Sequence, residues 1–220
     1  MQRRRIGLLG GTFDPPHVGH LALARSARDA LGLNEVRLIP TGQSWQKTGR
    51  TPALDRLAMV RCALQDVSAT EGLLVDDREV RRSGPTYTVD TLTELRQELG
   101  PQPALVLVLG SDQLHNLATW HRWQELFGLA HVAVTQRERI SLSGLPEAVQ
   151  TELDARGREA LPDAPSGAIV FFRMPAVPVS ATVLRAQLAR NEPVSGLTPT
   201  AVLDYIAAHG LYRAGSPSSD

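Results

Sequence analysis

Cysteine is almost absent from this chain: among its 220 residues there is one, Cys62, in a stretch with helical spacing that we expect to be buried. A single thiol excludes an internal disulfide and leaves too few thiolates for a zinc cluster, which favours a reducing, cytoplasmic setting. Aromatic residues make up only 5% of the chain, and 23 basic side chains balance 23 acidic ones. We therefore expect no general attraction to nucleic acid or to an anionic membrane.

Long apolar runs are also missing. No stretch approaches the ~20 apolar residues of a membrane helix, and the apolar run after the basic N-terminal residues is too short for a signal peptide. A chain of this length can bury a substantial core. We expect a soluble protein with a single domain over residues 1–213 and a disordered tail at 214–220.

Strand-like and helix-like patterns alternate along the chain. Strands are predicted at 6–10, 36–40, 73–75, 104–110, 131–135 and 169–172, and helices at 19–31, 51–64, 89–99, within 114–129, at 180–190 and at 198–209. Thr51 is the expected N-cap of the second helix. The stretch 137–167 shows no clear pattern of strands or helices, but Leu145-Pro146 indicates the start of a surface helix within it. The uninterrupted apolar run at 104–110 is typical of a central parallel strand. The alternation predicts an α/β fold, a Rossmann-like doubly wound parallel sheet with C-terminal helices.

The most informative segment is GGTFDPPHVGH, residues 10–20. Gly10 and Gly11 permit a close backbone approach where a strand turns into a helix, and His17 and His20 are placed over the same turn. Helix N-termini bind phosphate through backbone N–H groups and the helix dipole. A Gly-Gly pair often marks only a tight turn, and lone histidines are usually structural. The combination nevertheless predicts chemistry on a nucleotide phosphate, and it matches neither the dinucleotide-binding fingerprint nor a P-loop.

A second polar segment follows the predicted central strand. Gly110 and Asp112 belong to a Gly-Ser-Asp sequence at the end of that strand. Ligands of doubly wound sheets bind beyond the carboxyl ends of the strands, where the strand order reverses. We therefore expect this segment and the two-histidine turn at the same edge of the sheet.

Together these motifs resemble a known family. GGTFDPPHVGH and SATVLR (residues 180–185) are similar to the two signatures of the nucleotidyltransferases that share the HxGH motif with class I aminoacyl-tRNA synthetases. Within that group, GPTYTVDTL (84–92), GSDQL (110–114) and TWHRWQEL (119–126) resemble the bacterial nicotinate-nucleotide adenylyltransferases. The likeness runs from the first strand to AAHGLY and fails only across about 138–167. It implies adenylyl transfer from ATP to nicotinic acid mononucleotide in NAD biosynthesis, with nicotinic acid adenine dinucleotide and pyrophosphate as products.

The resemblance also implies roles for individual residues. The catalytic residues would be His17, His20 and Arg185, with His20 donating to the α-phosphate. The ATP-binding residues would be Gly10, Gly11, Thr12, Phe13, His17, His20, Lys47, Gly110, Asp112, Ser180, Thr182 and Arg185. Thr86, Trp120 and His121 would bind the nicotinate nucleotide, while Trp123, predicted on the same short helix as Trp120, belongs to the core. No protein metal site is implied, since Mg²⁺ would arrive with the ATP phosphates.

The chain departs from the family pattern at three places. Lys47 follows Trp45-Gln46 where the family usually has Pro-His, and Ala181 replaces a second serine. The residues after Arg137 do not match the family's usual RPG turn.

Two other functions stay open at this stage. A pantetheine-phosphate adenylyltransferase would keep HVGH but lack GPTYTVDTL and TWHRW, and a non-catalytic nucleotide-binding or RNA-binding protein would not need both histidines and Arg185. The expected partners are ATP and nicotinic acid mononucleotide, without nucleic acid or membrane. The oligomeric state, a homo-oligomer included, is not predicted.

Overall fold

Strands and helices alternate along residues 3–42, 51–136 and 144–213, the parts of the chain that the computed structural model describes. In chain order they are β1 (Arg5–Gly11), α1 (Val18–Leu31), β2 (Glu35–Pro40), α2 (Ala53–Ala63), β3 (Leu73–Val75), α3 (Arg78–Arg81), α4 (Thr88–Leu99), β4 (Ala104–Gly110), α5 (Ser111–Asn116), α6 (Leu126–Leu129), β5 (His131–Gln136), α7 (Glu147–Arg156), β6 (Gly157–Arg158), β7 (Ile169–Arg173), α8 (Ala181–Ala189) and α9 (Thr200–Ala208). Short 3₁₀ helices lie at Ala69–Glu71, Leu117–Thr119 and Trp123–Glu125. The predicted strands and long helices are confirmed to within two residues. The short elements α3 and β6 were not predicted.

The described residues contain one seven-stranded sheet, in the order β3-β2-β1-β4-β5-β7-β6. β4 pairs in parallel with β1 and with β5, and β7 pairs in parallel with β5 and with β6. The chain builds outward from β1 on one side and from β4 on the other, so the strand order reverses between these two strands. All residues of β4 except the last are buried, as expected for a central strand. The predicted Rossmann-like α/β fold is confirmed.

The chain divides into two compact units. The first comprises Met1–Gly10, Leu23–Arg37 and Tyr87–Ala176. Arg96 of α4 links several loops inside this unit: its guanidinium donates to the backbone carbonyls of Pro103, Leu129 and Pro165, each at 2.7–2.8 Å. His131 at the start of β5 is fully buried.

The second unit comprises Gly11–Ala22, Leu38–Thr86 and Val177–Asp220. Its core forms where α2 packs against α9, through the buried side chains of Met59, Ala63, Val202 and Ile206. Cys62 is partly rather than fully buried, because it lies at the margin of this cluster. The expected single domain stays a prediction, and the expected disordered tail at 214–220 lies outside the described residues.

The beginning of α2 differs from the prediction. Pro52 stands at the N-cap and no side chain caps the helix, so the predicted capping by Thr51 is wrong. The backbone carbonyl of Thr51 instead accepts a hydrogen bond from Arg56 Nε at 2.9 Å. Proline suits this position because its fixed φ leads the chain into the helix and no N–H is needed there.

None of the helices in the described parts of the chain combines the length and apolar character that a membrane span needs.

Candidate active site

The turn between β1 and α1 brings the rings of His17 and His20 into a stack, with centroids 3.7 Å apart and planes inclined by 15°. The backbone N–H of His17 donates to Nδ1 of His20 at 3.2 Å. Because Nδ1 accepts this hydrogen bond, the neutral ring of His20 carries its proton on Nε2. The turn therefore presents His20 Nε2 as a hydrogen-bond donor.

Small residues allow these rings to pack so closely. A Cβ atom at Gly19 would lie 3.1 Å from His17 Nδ1 and 3.0 Å from Val179 Cγ1. A Cβ atom at Gly11 would lie 3.1 Å from the ring of Phe13, which contacts His20 edge-on with centroids 4.9 Å apart. Larger side chains at either glycine would displace the rings that define the turn.

Helix α8 is attached to the same turn within the second unit. Ser180 caps α8, since its Oγ accepts a hydrogen bond from the N–H of Val183 at 3.3 Å. One turn further on, Arg185 Nη1 donates to the backbone carbonyl of Asp14 at 2.6 Å. Thr182 and Ser180 are exposed. The predicted placement of Ser180, Thr182 and Arg185 on the first turn and a half of a helix is confirmed.

The C-terminal segment also contacts this turn. The hydroxyl of Tyr212 donates to Asp14 Oδ1 at 2.6 Å, and the hydroxyl of Thr198 donates to the carbonyl of Pro16 at 2.7 Å. Burial, reinforced by the neighbouring Asp14 carboxylate, raises the pKa of Tyr212, so its hydroxyl keeps its proton at neutral pH. Sequence reasoning missed both contacts, although Asp14 belongs to the motif itself.

A buried arginine that the sequence analysis overlooked lies beneath the turn. Arg56 of α2 is 3% exposed, and its Nη1 donates to the carbonyl of Thr12 at 2.9 Å. Its sequence context carries a signal, because it is a charge on a helix whose neighbours Leu57, Met59 and Val60 are all apolar. Such a residue is buried only when its donors are satisfied.

The ends of β1 and β4 meet at the reversal point of the sheet, as predicted. Gly10 near the end of β1 is exposed, and a Cβ atom there would meet no protein atom within 4 Å. At the end of β4, a Cβ atom on Gly110 would lie 2.5 Å from Asp112 Oδ1, so only glycine allows this position of the carboxylate. Asp112 itself is exposed.

The residues assigned to the nicotinate nucleotide are placed separately. In the first unit, Trp120 is partly buried and follows the 3₁₀ helix Leu117–Thr119, while His121 is exposed with its ring 4.4 Å from that of Tyr87. In the second unit, the side chain of Thr86 is buried at 5% exposure. Lys47 lies outside the described residues.

The two tryptophans do not share one helix, contrary to the prediction. Arg122 adopts a left-handed conformation with φ of 51° and separates the 3₁₀ helix before Trp120 from the one that Trp123 begins. Trp123 is 7% exposed and belongs to the core, as predicted. Periodicity could not reveal a break made by a non-glycine residue in this conformation.

Acidic and metal-ligating side chains are not clustered in the part of the chain that the structure describes: no group of three or more His, Cys, Asp or Glu is arranged to hold a metal ion.

A family model and several known sequences are similar to this chain. The model of the cytidylyltransferase-like family matches residues 8–196. A protein of Laribacter hongkongensis named "Probable nicotinate-nucleotide adenylyltransferase" is 46% identical over 220 residues, covering 99% of each chain. A Pseudomonas fluorescens protein of the same name is 47% identical over 215 residues, covering 96% of this chain and 98% of its own.

The fold is also similar to a solved structure. The Plasmodium falciparum nicotinic acid mononucleotide adenylyltransferase complexed with NaAD matches with a TM-score of 0.74 at 18% identity, covering 96% of this chain and 98% of its own.

Proposed function

This chain belongs to the nicotinate-nucleotide adenylyltransferases, a family of nucleotidyltransferases, and we propose that it transfers the adenylyl group of ATP to nicotinic acid mononucleotide. A phosphate oxygen of the mononucleotide attacks the α-phosphorus of ATP. The bond from that phosphorus to the oxygen bridging to the β-phosphorus breaks, and pyrophosphate leaves. The products are nicotinic acid adenine dinucleotide and pyrophosphate.

The observation that carries this proposal is the attachment of the first turns of α8 to the two-histidine turn. Arg185 donates to the Asp14 carbonyl, so its guanidinium is held beside the segment that bears His17 and His20. An imidazole donor, the N-terminus of a helix and a guanidinium then lie in one compact unit. Phosphoryl and nucleotidyl transfer depend mainly on such positioning and on electrostatic stabilisation.

The roles of the phosphate-binding residues are proposed from the family resemblance, and the contacts between the two-histidine turn and α8 support them. His20 donates through Nε2 to the α-phosphate as negative charge grows in the transition state, and His17 packs against its ring and contacts the phosphates. The hydroxyls of Ser180 and Thr182 and the guanidinium of Arg185 bind the β- and γ-phosphates, together with backbone N–H groups at the start of α8. Gly10, Gly11, Thr12, Phe13 and Lys47 complete the proposed phosphate contacts.

We propose that Mg²⁺ enters this site together with ATP. The described residues provide no cage of carboxylates or imidazoles, and Mg²⁺ commonly binds through substrate phosphates while keeping several waters. When bound, the ion neutralises charge on the triphosphate. The protein contributes donors and cations around it.

The acceptor side is proposed from the sequence motifs. Trp120 offers a flat, partly buried ring for stacking on pyridine. The backbone N–H groups of Thr86 and His121 donate to the nicotinate carboxylate. On the ATP side, the exposed carboxylate of Asp112 accepts from ribose hydroxyls. The side chain of Thr86 is buried, which suits a role for its backbone. We also propose that the protein is cytoplasmic, because it has a single cysteine, and that it forms one domain, because of its length. Its zero net charge supports the absence of a nucleic-acid partner.

Pyrophosphate release from ATP tests the proposal with four acceptors: nicotinic acid mononucleotide, nicotinamide mononucleotide, phosphopantetheine and water. We expect efficient release only with the first. Hydrogen bonds to a charged group contribute about 1.5–3 kcal/mol, so nicotinate should be preferred over nicotinamide by roughly 10- to 10²-fold in kcat/KM. Equal use of both pyridine nucleotides would refute the proposed carboxylate contacts, and release with phosphopantetheine alone would refute the function.

A further inference from the structure

The two-histidine turn is bound by the guanidinium of Arg56, a residue to which no role has yet been assigned. Arg56 donates to three backbone carbonyls that are far apart in sequence: Thr12 at 2.9 Å, Gly42 at 3.0 Å and Thr51 at 2.9 Å. All belong to the second unit. We propose that Arg56 is a positioning residue for ATP, which orients the Thr12–Phe13 peptide so that the N–H of Phe13 is presented to the triphosphate. This inference rests on the proposed function.

The planar peptide bond between Thr12 and Phe13 fixes the direction of the Phe13 N–H relative to the Thr12 carbonyl. In a trans peptide the C=O and N–H groups point in opposite directions. Among the described residues, only the Asp14–Pro15 peptide is cis, so the Thr12–Phe13 peptide is trans. Because Arg56 holds the Thr12 carbonyl, the N–H of Phe13 points away from the guanidinium. A phosphate that accepts from this N–H must lie on the side of the turn opposite Arg56.

The preceding peptide is held in the same way. The carbonyl of Gly11 accepts from the backbone N–H of Thr41 at 2.9 Å and from its hydroxyl at 3.1 Å. The N–H of Thr12 therefore points away from Thr41. Two consecutive N–H groups are thus oriented by donors that bind the carbonyls of their own peptides.

Arginine suits this task better than lysine. The planar guanidinium of arginine donates from three nitrogen atoms in fixed directions. The single ammonium nitrogen of lysine cannot donate to all three carbonyls that Arg56 binds. The space around the acceptors is also confined, since a Cβ atom at Gly42 would lie 2.0 Å from the carbonyl oxygen of Glu79. The Arg56→Lys variant should therefore keep the charge and lose the alignment.

Arg96 provides a matched control. It also donates to several backbone carbonyls, those of Gly100, Pro103, Leu129 and Pro165, but it lies in the first unit and has no proposed contact with a ligand. If arginines that bind several backbone carbonyls act only through stability, Arg56→Lys and Arg96→Lys should have the same kinetic consequences. A positioning role for Arg56 predicts that they differ.

The test compares wild type, Arg56→Lys, Arg96→Lys and the milder Thr41→Val in steady-state kinetics, thermal unfolding and calorimetric titration with a non-hydrolysable ATP analogue. We expect Arg56→Lys to lower kcat/KM for ATP by about 10- to 100-fold and to weaken analogue binding, since small misplacements in an active site can reduce rates about 10²-fold. The KM for the mononucleotide should change little. Thr41→Val should show a smaller loss of the same kind, and Arg96→Lys should change the melting temperature alone.

Equal kinetic losses in the two arginine variants, or wild-type ATP constants in Arg56→Lys, would overturn the inference. If Arg56→Lys does not fold, Arg56→Gln decides, because a glutamine amide can donate to one carbonyl but cannot bind all three. Wild-type ATP constants in that variant would also overturn the inference. A wild-type protein that binds the analogue without transferring adenylate would refute the proposed function, while weaker analogue binding by Arg56→Lys would still support the positioning role.

Discussion

Replacing His20 by asparagine and by glutamine separates the two nitrogen atoms of its ring. Nδ1 of His20 accepts from the backbone N–H of His17, whereas Nε2 carries the proton proposed to reach the α-phosphate. An asparagine amide occupies roughly the position of Nδ1 and can accept the His17 N–H, but it cannot reach the position of Nε2. A glutamine amide reaches the position of Nε2 and can donate there.

The expected magnitude follows from the loss of one donor to a developing charge. Removing an oxyanion donor typically lowers kcat by about 10²–10³-fold, or about 2.7–4 kcal/mol of transition-state stabilisation. We therefore expect His20→Asn to lose roughly this much in kcat, with a smaller change in the KM for ATP. His20→Gln should recover part of the loss. His20→Ala should be at least as impaired as His20→Asn, because the His17 N–H also loses its acceptor.

Coupled pyrophosphate release at saturating ATP and mononucleotide measures kcat, and circular dichroism checks that each variant is folded. The order wild type, then His20→Gln, then His20→Asn is the signature of a donor at Nε2. A kcat for His20→Asn close to that of wild type would remove His20 from catalysis. Equal losses for glutamine and asparagine would show that packing against the His17 ring, 3.7 Å away, matters more than the proton on Nε2.

Three further outcomes are expected. Arg185→Lys loses the planar fork that binds the Asp14 carbonyl, so the KM for ATP should rise while the KM for the mononucleotide stays nearly constant in initial-rate assays; unchanged ATP kinetics would contradict the phosphate role. Trp120→Ala should lower kcat/KM for the nicotinate and the nicotinamide nucleotide alike, because both rings stack; a changed ratio would show that Trp120 discriminates between them. Burial lowers the pKa of His131, whose Nδ1 accepts from the N–H of Ala168, so below about pH 6.5 the unfolded chain binds a proton that the folded chain excludes. The free energy of unfolding should therefore fall as the pH drops from about 7.5 to about 5.5, and it should fall more steeply in wild type than in His131→Asn. Urea denaturation at each pH measures this free energy, and an equal dependence on pH in the two proteins would refute the prediction.

The order of strands and helices could be predicted from local pattern. The apolar run Ala104–Gly110 indicated a buried central strand. The alternation of strand-like and helix-like hydrophobic patterns along the chain indicated a parallel sheet. The histidine turn and the start of α8 were also recognisable, because each is a short segment in which residue type and spacing carry the signal. The 3₁₀ break at Arg122 was not, since left-handed backbone at a non-glycine residue leaves no pattern in composition.

The contacts that stabilise the candidate site could not be predicted from local sequence pattern. Tyr212 and Asp14 are 198 residues apart, Arg185 and Asp14 are 171 apart, and Arg56 and Thr12 are 44 apart. Side-chain donors that bind distant carbonyls and carboxylates depend on how the whole chain packs, and no local periodicity records them. The sequence by itself determined which segments bear the chemistry. Only the tertiary structure decided which groups orient them, because a buried donor is satisfied by whatever acceptor the folded chain brings within reach.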